Sequence, residues 1–417
     1  MTTAGTTAVT PAKGRLHPTI LLLASTHFLV DGFGNIYSPL LPLLVPKLGL
    51  SLAAVGTLQM CFQLSNSVAQ LGFGAIADRW RPRVLLVAGP LVAVTVLSLI
   101  GLSTSFWMAA AVLILGGLGG AAFHPPAAAV VHRFGGDRAG YAMGFHISSG
   151  ALGQAAAPLV FAPIAAYWGL GATPFLMLPA LVALAFCLRG VPSFERLRDR
   201  SQPGGLAALR PYRKPLTLLY LIVVLRTLTS LSFATFMTVM LTRQGMSVSQ
   251  AGVAAAVYML ACTIGGFIGG PLADAWGARR IIMGSLLGCV PLLVAAPFFR
   301  GWAFVALVAA GGFLLQSSLP VNVTFGQRIA PISAATVSSL MMGFAWGMGG
   351  FIAPFVGLLA DRIGIERTLI MMAFVPLAAA ALAVPLPAGK PPGKSPQTPR
   401  HASAVATAET PGTDVAD

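Results

Sequence analysis

Apolar runs separated by short polar connections fill almost the whole chain. Twelve of these runs hold about 20 or more mostly apolar residues, and about 20 residues of α-helix cross the hydrocarbon core of a bilayer. The pattern therefore predicts an all-α membrane protein with twelve transmembrane helices. We number them spans 1 to 12, and they cover residues 18–45, 50–77, 83–102, 106–131, 139–167, 171–190, 215–241, 248–275, 280–299, 302–326, 333–360 and 367–387.

Two polar segments interrupt this pattern and divide the chain. Residues 191–214 are rich in charge, and we interpret them as a cytoplasmic linker between two six-span bundles, residues 18–190 and 215–387. Residues 388–417 are too polar and too rich in proline to bury a core, and we expect a disordered cytoplasmic tail. Residues 1–17 are interpreted as a short cytoplasmic segment ahead of span 1.

Composition supports a lipid environment. Hydrophobic residues make up 56% of the chain and charged residues only 9%, whereas soluble domains carry about 25% charged residues. The net charge of +15 would suggest a nucleic-acid partner in a soluble protein, but here the arginines lie between the apolar runs. The composition therefore excludes a large soluble protein, and we expect the lipid bilayer, and no nucleic acid, as a partner.

The basic residues indicate how the chain crosses the membrane. With both termini in the cytoplasm, 20 of the 26 lysines and arginines fall on the cytoplasmic side and five on the other side. The excess of basic residues in cytoplasmic loops is the usual determinant of orientation. We therefore predict a multi-pass protein of a bacterial-type inner membrane with cytoplasmic N- and C-termini.

The chain also repeats internally. At a constant offset of 196 residues, residues of the first half recur in the second, and we base the inference on six pairs of glycine, serine, aspartate and proline. A parallel repeat of six spans predicts a pseudo-two-fold axis along the membrane normal, with a cavity between the halves. The matched pairs are Gly49 and Gly245, Ser51 and Ser247, Gly56 and Gly252, Gly74 and Gly270, Asp78 and Asp274, and Pro158 and Pro354.

Two of these pairs lie in a motif that ends spans 2 and 8. The first copy starts GAIADRW and the second GPLADAW, each followed by arginines. The duplicated motif resembles the signature loop of the major facilitator superfamily, which implies the major facilitator fold and a cytoplasmic gate that breaks and reforms as the halves rock. The alternative is that the charged residues of the motif only determine the orientation of the chain in the membrane. The gate residues implied by the resemblance are Gly74, Asp78, Arg79, Arg83, Gly270, Asp274, Arg279 and Arg280. The similar stretch from Gly357 to Arg362 falls on the outer side, and we interpret it as a helix end.

Polar residues inside the spans are the candidates for transport chemistry. His27, Asp31 and Asn35 are spaced by four in span 1, which predicts one helical face. An ionisable group in a span is costly unless it faces a partner or a cavity, so these positions suggest proton coupling. Arg226 in span 7 corresponds to Val30 in the repeat, so it could pair with Asp31 across the cavity or, unpaired, attract an anionic substrate. Structural roles for both remain open.

A third cluster of candidates lies in span 4, where a glycine-rich run leads into Phe123, His124 and two prolines, which we expect to break the helix. With the span 1 pair and Arg226, this stretch resembles the fosmidomycin-resistance branch of the superfamily, whose members are proton-driven exporters. The second proline, Pro126, departs from that branch. Weaker cavity candidates, each also readable as packing, are His146, Gln316, Asn322 and Trp346.

The combined prediction is a secondary active transporter, a monomer that exports a small molecule or drug in exchange for protons by alternating access. The alternatives are a proton-coupled importer of a small organic anion and a non-transporting membrane sensor. We expect no enzyme activity, no bound metal and no cofactor beyond the proton gradient, because no nucleophile–base pair, phosphate-binding loop or metal-spaced motif occurs. Convergence of His27, His124 and His146 on a metal ion is a remote alternative.

Overall fold

The computed structural model describes residues 16–79, 82–191, 206–331 and 334–387. All regular elements in these ranges are helical. The α-helices are α1 (Pro18–Gly34), α2 (Tyr37–Leu48), α3 (Leu52–Ser67), α4 (Ala69–Arg79), α5 (Pro82–Ser98), α6 (Phe106–Gly135), α7 (Ala139–Trp168), α8 (Met177–Arg189), α9 (Arg213–Arg243), α10 (Val248–Trp276), α11 (Ala278–Ala295), α12 (Gly301–Ile329), α13 (Ala334–Ser338), α14 (Ala345–Phe351), α15 (Ala353–Ile363) and α16 (Ile365–Ala383).

These helices account for the predicted spans. Within the described ranges, eleven helical stretches are long and apolar enough to cross a membrane. The remaining predicted span, span 2, is also helical, but it is divided at Val68 into α3 and α4, neither of which is long enough alone. Span 1 bends between α1 and α2, and span 11 consists of α13, a π-helical turn at Ser339–Phe344, α14 and α15. A fold of two six-helix bundles follows.

Several of the predicted non-membrane segments lie outside the described residues. They are residues 1–15, residues 192–205 of the predicted linker and the predicted tail, residues 388–417. The described end of the linker, Leu206–Tyr212, is a 3-10 turn that leads directly into α9.

The internal repeat appears as repeated local structure. Gly49 ends α2 with a φ of 60°, and Gly245 follows α9 with a φ of 98°, which is a region that residues with a Cβ rarely adopt. Two residues later, Ser51 and Ser247 cap the next helix, because each side chain accepts a hydrogen bond from a backbone N–H in the first turn. The matched residues therefore specify the same turn in both halves.

The turns at Gly49 and Gly245 lie at the same end of the molecule. We call this end the outer end, after the predicted orientation, and the opposite end the inner end. At the outer end, the two halves contact each other through matched residues. A Cβ built on Gly56 of α3 would lie 2.9 Å from Pro354 Cα in α15, and one built on Gly252 of α10 would lie 2.8 Å from the Pro158 carbonyl oxygen in α7. Glycine thus permits both close crossings.

Hydrogen bonds also join the halves near the outer end. Ser38 Oγ donates to the Ala234 carbonyl oxygen at 2.7 Å, and these residues are 196 apart, so equivalent positions touch at the pseudo-two-fold axis. The Asp361 carboxylate, at the end of α15, accepts hydrogen bonds from the backbone N–H groups of Leu52 and Ala53 at 2.8 and 2.9 Å. This helix end, which the sequence does not mark as a contact, therefore caps the first turn of α3 in the other half.

Exposed aromatic side chains surround the outer end. Six of them are more than half exposed and lie where spans 4, 5, 6, 9 and 10 begin or end; they are Trp107, Tyr167, Trp168, Phe175, Phe298 and Trp302. Aromatic side chains are enriched at the level of the lipid headgroups. Their position agrees with a bilayer boundary at the outer end.

Candidate functional site

Three titratable side chains meet in the middle of the N-terminal half. His27 and Asp31 lie one turn apart on α1, and His124 approaches from α6. The His27 Nε2 atom lies 3.4 Å from Asp31 Oδ2, and the His124 Nε2 atom lies 3.6 Å from Asp31 Oδ1. We call these three residues the triad. The structure therefore joins the predicted polar residues of spans 1 and 4 into one cluster.

Span 5 completes the surroundings of the triad. Gln154 Nε2 donates a hydrogen bond to Asp31 Oδ2 at 2.9 Å. One turn earlier, a Cβ on Gly150 would lie 2.6 Å from His27 Nε2 and 2.7 Å from Asp31 Oδ2, so glycine leaves the room that the pair occupies. Gln154 is not among the predicted site residues, and its one-turn spacing from Gly150 is the signal that could have identified it.

His146 contributes its backbone to the same site. The His27 Nδ1 atom lies 2.8 Å from the His146 carbonyl oxygen. A carbonyl oxygen only accepts hydrogen bonds, so Nδ1 of His27 carries a proton and donates it there. The two imidazole rings lie 4.3 Å apart between centroids, and His146 Nδ1 is buried without a hydrogen-bond partner in the part of the chain that the structure describes.

Asn35 and the prolines of span 4 complete the predicted N-terminal site. Asn35 directly follows the end of α1 at Gly34, and its amide nitrogen donates to the Gln154 carbonyl oxygen at 2.9 Å, so it contacts span 5 as Asp31 does. The prolines of span 4 were expected to break the helix, yet α6 runs unbroken from Phe106 to Gly135. Neighbouring helices in a bundle compensate for backbone hydrogen bonds that proline removes, which explains the continuity.

Arg226 lies in α9 and is only 1% exposed. Its guanidinium donates to Gln316 Oε1 in α12 and to Thr227 Oγ1 at 3.2 Å. The considered ion pair between Asp31 and Arg226 does not form in the structure, because Asp31 faces the two histidines and Gln154 instead. Each half thus holds its own buried charge with its own polar partners.

Three predicted cavity residues of the C-terminal half have buried polar atoms without partners among the described residues. The atoms are Arg226 Nε, both amide atoms of Asn322, and Trp346 Nε1. Buried polar groups are nearly always hydrogen-bonded, so each of these residues has capacity to bind a ligand. We call Arg226, Gln316, Asn322 and Trp346, which lie in spans 7, 10 and 11, the C-half polar cluster. All four were predicted cavity candidates.

Comparison with known proteins identifies the family. A family model described as Major Facilitator Superfamily matches residues 23–354 and 219–410. This chain belongs to the major facilitator superfamily. Members of the superfamily are transporters that bind small molecules within the membrane, so the chain is a multi-pass membrane transporter and not an enzyme.

Two bacterial relatives of this major facilitator cover most of the chain. A protein of Escherichia coli named fosmidomycin resistance protein is 29% identical over 363 residues, 85% of this chain and 89% of that protein. The uncharacterised major facilitator transporter YfnC of Bacillus subtilis is 30% identical over 374 residues, 87% of this chain and 91% of that protein. These bacterial relatives support a location in the inner membrane.

Solved structures show the same fold. A bacterial homologue of the human lysosomal transporter Spinster, in an inward-facing and occupied conformation, has a TM-score of 0.75 at 16% identity and covers 87% of this chain and 95% of its own. The nucleoside transporter NupG has a TM-score of 0.72 at 12% identity and covers 88% of this chain and 98% of its own. Both likenesses support the two-bundle architecture.

The major facilitator signature lies at the inner end. Asp274 Oδ1, at the end of α10, accepts a hydrogen bond from Arg328 Nη2, at the end of α12, at 2.8 Å, and both side chains are more than half exposed. This pair therefore joins two spans of the same half.

The other predicted gate residues have fewer contacts. Gly270 has open space around it, Arg83 and Arg280 are exposed, and Arg279 is partly buried. In the first copy, a Cβ on Gly74 would lie 3.7 Å from Pro125 Cβ. The side chains of Asp78 and Arg79 lie outside the described part of the structure.

Proposed function

We propose that this transporter exports a small anionic molecule in exchange for protons, with the triad as the proton site and the C-half polar cluster as the substrate site. The observation that carries the proposal is the triad itself. Two histidines and an aspartate, with side chains 10–18% exposed, contact one another inside the bundle. Ionisable groups at such a depth are costly and are characteristic of proton pathways.

A proton fits the gap between His27 and Asp31. With Nδ1 of His27 donating to the His146 carbonyl oxygen, Nε2 of the neutral ring is an acceptor that faces the Asp31 carboxylate. A proton on Nε2 turns this contact between two acceptors into a charge-assisted hydrogen bond. Binding and release of that proton change both the local charge and the packing of span 1 against spans 4 and 5, which is a means of coupling to rocking of the halves.

The C-half polar cluster favours an anionic substrate. Three of its unpartnered atoms, Arg226 Nε, Asn322 Nδ2 and Trp346 Nε1, are hydrogen-bond donors, and Arg226 adds a positive charge. Guanidinium and amide donors match the oxygens of carboxylates and phosphonates. The name of the E. coli relative supports including fosmidomycin in a substrate panel.

The contacts between the halves suggest how exchange proceeds. Since the halves touch at the outer end, this conformation would load substrate and release protons at the inner end. Rocking of one half against the other would then separate the contacts at the outer end and expose both sites to the outer side. A proton that the triad takes up from the outer side would then drive the return of the transporter to the conformation that is open at the inner end.

The test uses inside-out membrane vesicles that contain the protein and an imposed pH gradient. We expect accumulation of an anionic substrate from the panel only when the vesicle interior is acidic. Asp31→Asn should retain membrane insertion and lose this pH-driven accumulation. His124→Gln should reduce it strongly, whereas the matched variant His132→Gln, exposed and two turns further along α6, should not.

The outcomes separate the proposal from its alternatives. Full pH-driven export by Asp31→Asn would contradict the assignment of the proton site. Proton-driven uptake by right-side-out vesicles, without export, would identify an importer of the anion, which the donor-rich cluster would serve equally well. Transport of the panel that is unaffected by Arg226→Gln would contradict the substrate site.

A further inference from the structure

The triad also has the dimensions of a metal site. One ligand atom each from His27, Asp31 and His124 lies within 4.8 Å of the other two. The His27 Nε2 atom lies 3.4 Å from Asp31 Oδ2 and the His124 Nε2 atom lies 3.6 Å from Asp31 Oδ1, so each histidine faces a different oxygen of the carboxylate. In a tetrahedral site with metal–ligand bonds of about 2.0–2.2 Å, neighbouring ligand atoms are about 3.3–3.6 Å apart. Side-chain rotations that shorten separations of at most 4.8 Å to this spacing would bring both histidines and one carboxylate oxygen onto a single ion.

The hydrogen bonds around the triad orient its ligand atoms inward. His27 Nδ1 donates to the His146 carbonyl oxygen, which leaves the lone pair of Nε2 directed toward Asp31. Gln154 donates to Asp31 Oδ2, the same oxygen that faces His27, and so helps to fix the orientation of the carboxylate. Metal-bound histidines and carboxylates are commonly oriented by such outer hydrogen bonds. Without a cation, two electron-rich atoms face each other across 3.4 Å.

We infer that the triad binds a divalent transition-metal ion of the zinc class, held by His27 Nε2, His124 Nε2 and one oxygen of Asp31, with a fourth position left for water. Imidazole ligands suit Zn²⁺ and Co²⁺, whereas a single carboxylate offers too few oxygens for Mg²⁺ or Ca²⁺. His146, which was considered as a ligand from the sequence, supplies a carbonyl contact to His27 and not a ring nitrogen.

This inference goes beyond the transport proposal. It requires neither an anionic substrate nor a direction of transport, and it can hold in a protein whose proton coupling is located elsewhere. If both proposals hold, the metal ion and the proton occupy the same place. Micromolar Zn²⁺ would then inhibit pH-driven transport, and a more acidic medium would relieve that inhibition.

The experiment measures metal binding directly on the purified, tag-free full chain in lipid nanodiscs. Isothermal titration with Zn²⁺ should give one ion per chain, and Mg²⁺ should give no binding heat. Co²⁺ should produce the intense visible absorption of a four-coordinate ion. His27→Gln and His124→Gln should each weaken Zn²⁺ binding at least about tenfold, because each removes a ligand.

Two controls keep the result interpretable. A triple variant, His17→Gln with His132→Gln and His401→Gln, removes three histidines that are not members of the triad, and it should bind Zn²⁺ as the native chain does. Circular dichroism of each variant, with and without metal, should show the native helix content, so that a loss of binding reports a lost ligand and not a lost fold.

Three results would overturn the inference. The first is no Zn²⁺ binding by the native chain. The second is a Zn²⁺ affinity in folded His27→Gln or His124→Gln that equals the affinity of the triple variant. The third is a Co²⁺ complex of the native chain without the absorption of a four-coordinate ion. Transport defects are not among them, so failure of the transport proposal and failure of the metal site are distinguishable. Metal binding without pH-driven transport would leave the site standing and remove its proposed role in coupling.

Discussion

Removing the Asp361 carboxylate should open the outer end. Asp361 belongs to the C-terminal half, yet it accepts two backbone hydrogen bonds, at 2.8 and 2.9 Å, from the first turn of α3 in the N-terminal half. These bonds exist only while the outer end is closed. In Asp361→Ala the N–H groups of Leu52 and Ala53 lose their acceptor in the closed state, whereas the open state is little changed. The equilibrium therefore shifts toward opening.

The magnitude follows from the type of bond. Loss of a helix cap costs about 0.5–2 kcal/mol, and because Asp361 is exposed we take about 1 kcal/mol. One to two kcal/mol changes a two-state ratio by about 5–30-fold, so we expect roughly a fivefold increase in the ratio of outward-open to outward-closed molecules. High salt should reduce the difference between variant and native protein, because exposed charge interactions are screened.

Spin labels can measure this shift. Thr104 and Arg300 are exposed and lie in equivalent outer turns of the two halves, 196 residues apart. With labels at these positions in a cysteine-free background, pulsed electron paramagnetic resonance should show more of the long distance in Asp361→Ala. Glu366→Gln removes a carboxylate at the same end and is the matched control. Identical distance distributions in the two variants would refute the reasoning.

Three further predictions concern packing, capping and the inner ion pair. Gly56→Ala should cost about 1–3 kcal/mol in the outward-closed state, because its Cβ would meet the backbone of α15, and should lengthen the same label distance; Gly72→Ala, with open space around it, should not. Ser247→Ala removes half of a capping box and should lower the thermal stability of the purified protein by about 1 kcal/mol; an unchanged melting temperature would contradict this. Arg328→Gln breaks only an exposed pair and should change stability by less than about 1 kcal/mol in chemical denaturation; a larger loss would show that the pair is coupled to other contacts.

The sequence predicts those features that follow from the thickness of the bilayer or from the 3.6-residue period of the α-helix. A helix must be apolar over a minimum length to cross the bilayer, so the sequence predicts the spans. His27 and Asp31 are four residues apart, and this spacing alone predicts that they share one face of a helix. The repeat was visible because Gly49 and Ser51 determine the conformation of their own turn. Each of these relations is local in the chain.

The contacts that were not predictable depend on how distant spans pack. Gln154 reaches Asp31 across 123 residues, and Asp361 reaches Leu52 across 309. From the sequence, Arg226 could either pair with Asp31 or attract an anionic substrate, because its partner depends on the rotation of α9 about its axis. The structure directs it to Gln316, so the charge of each half is stabilised within that half.

The crossings between the halves have a consequence beyond packing. Gly56 meets Pro354, and their equivalents Gly252 and Pro158 meet each other, while Ser38 touches its own equivalent, Ala234. Such reciprocity is the property of an isologous interface, in which one surface patch recognises a copy of itself. Each bundle therefore presents a surface whose contacts follow the pattern of a two-fold homodimer, although both partners belong to one chain. The covalent linker joins two partners whose complementarity does not depend on it.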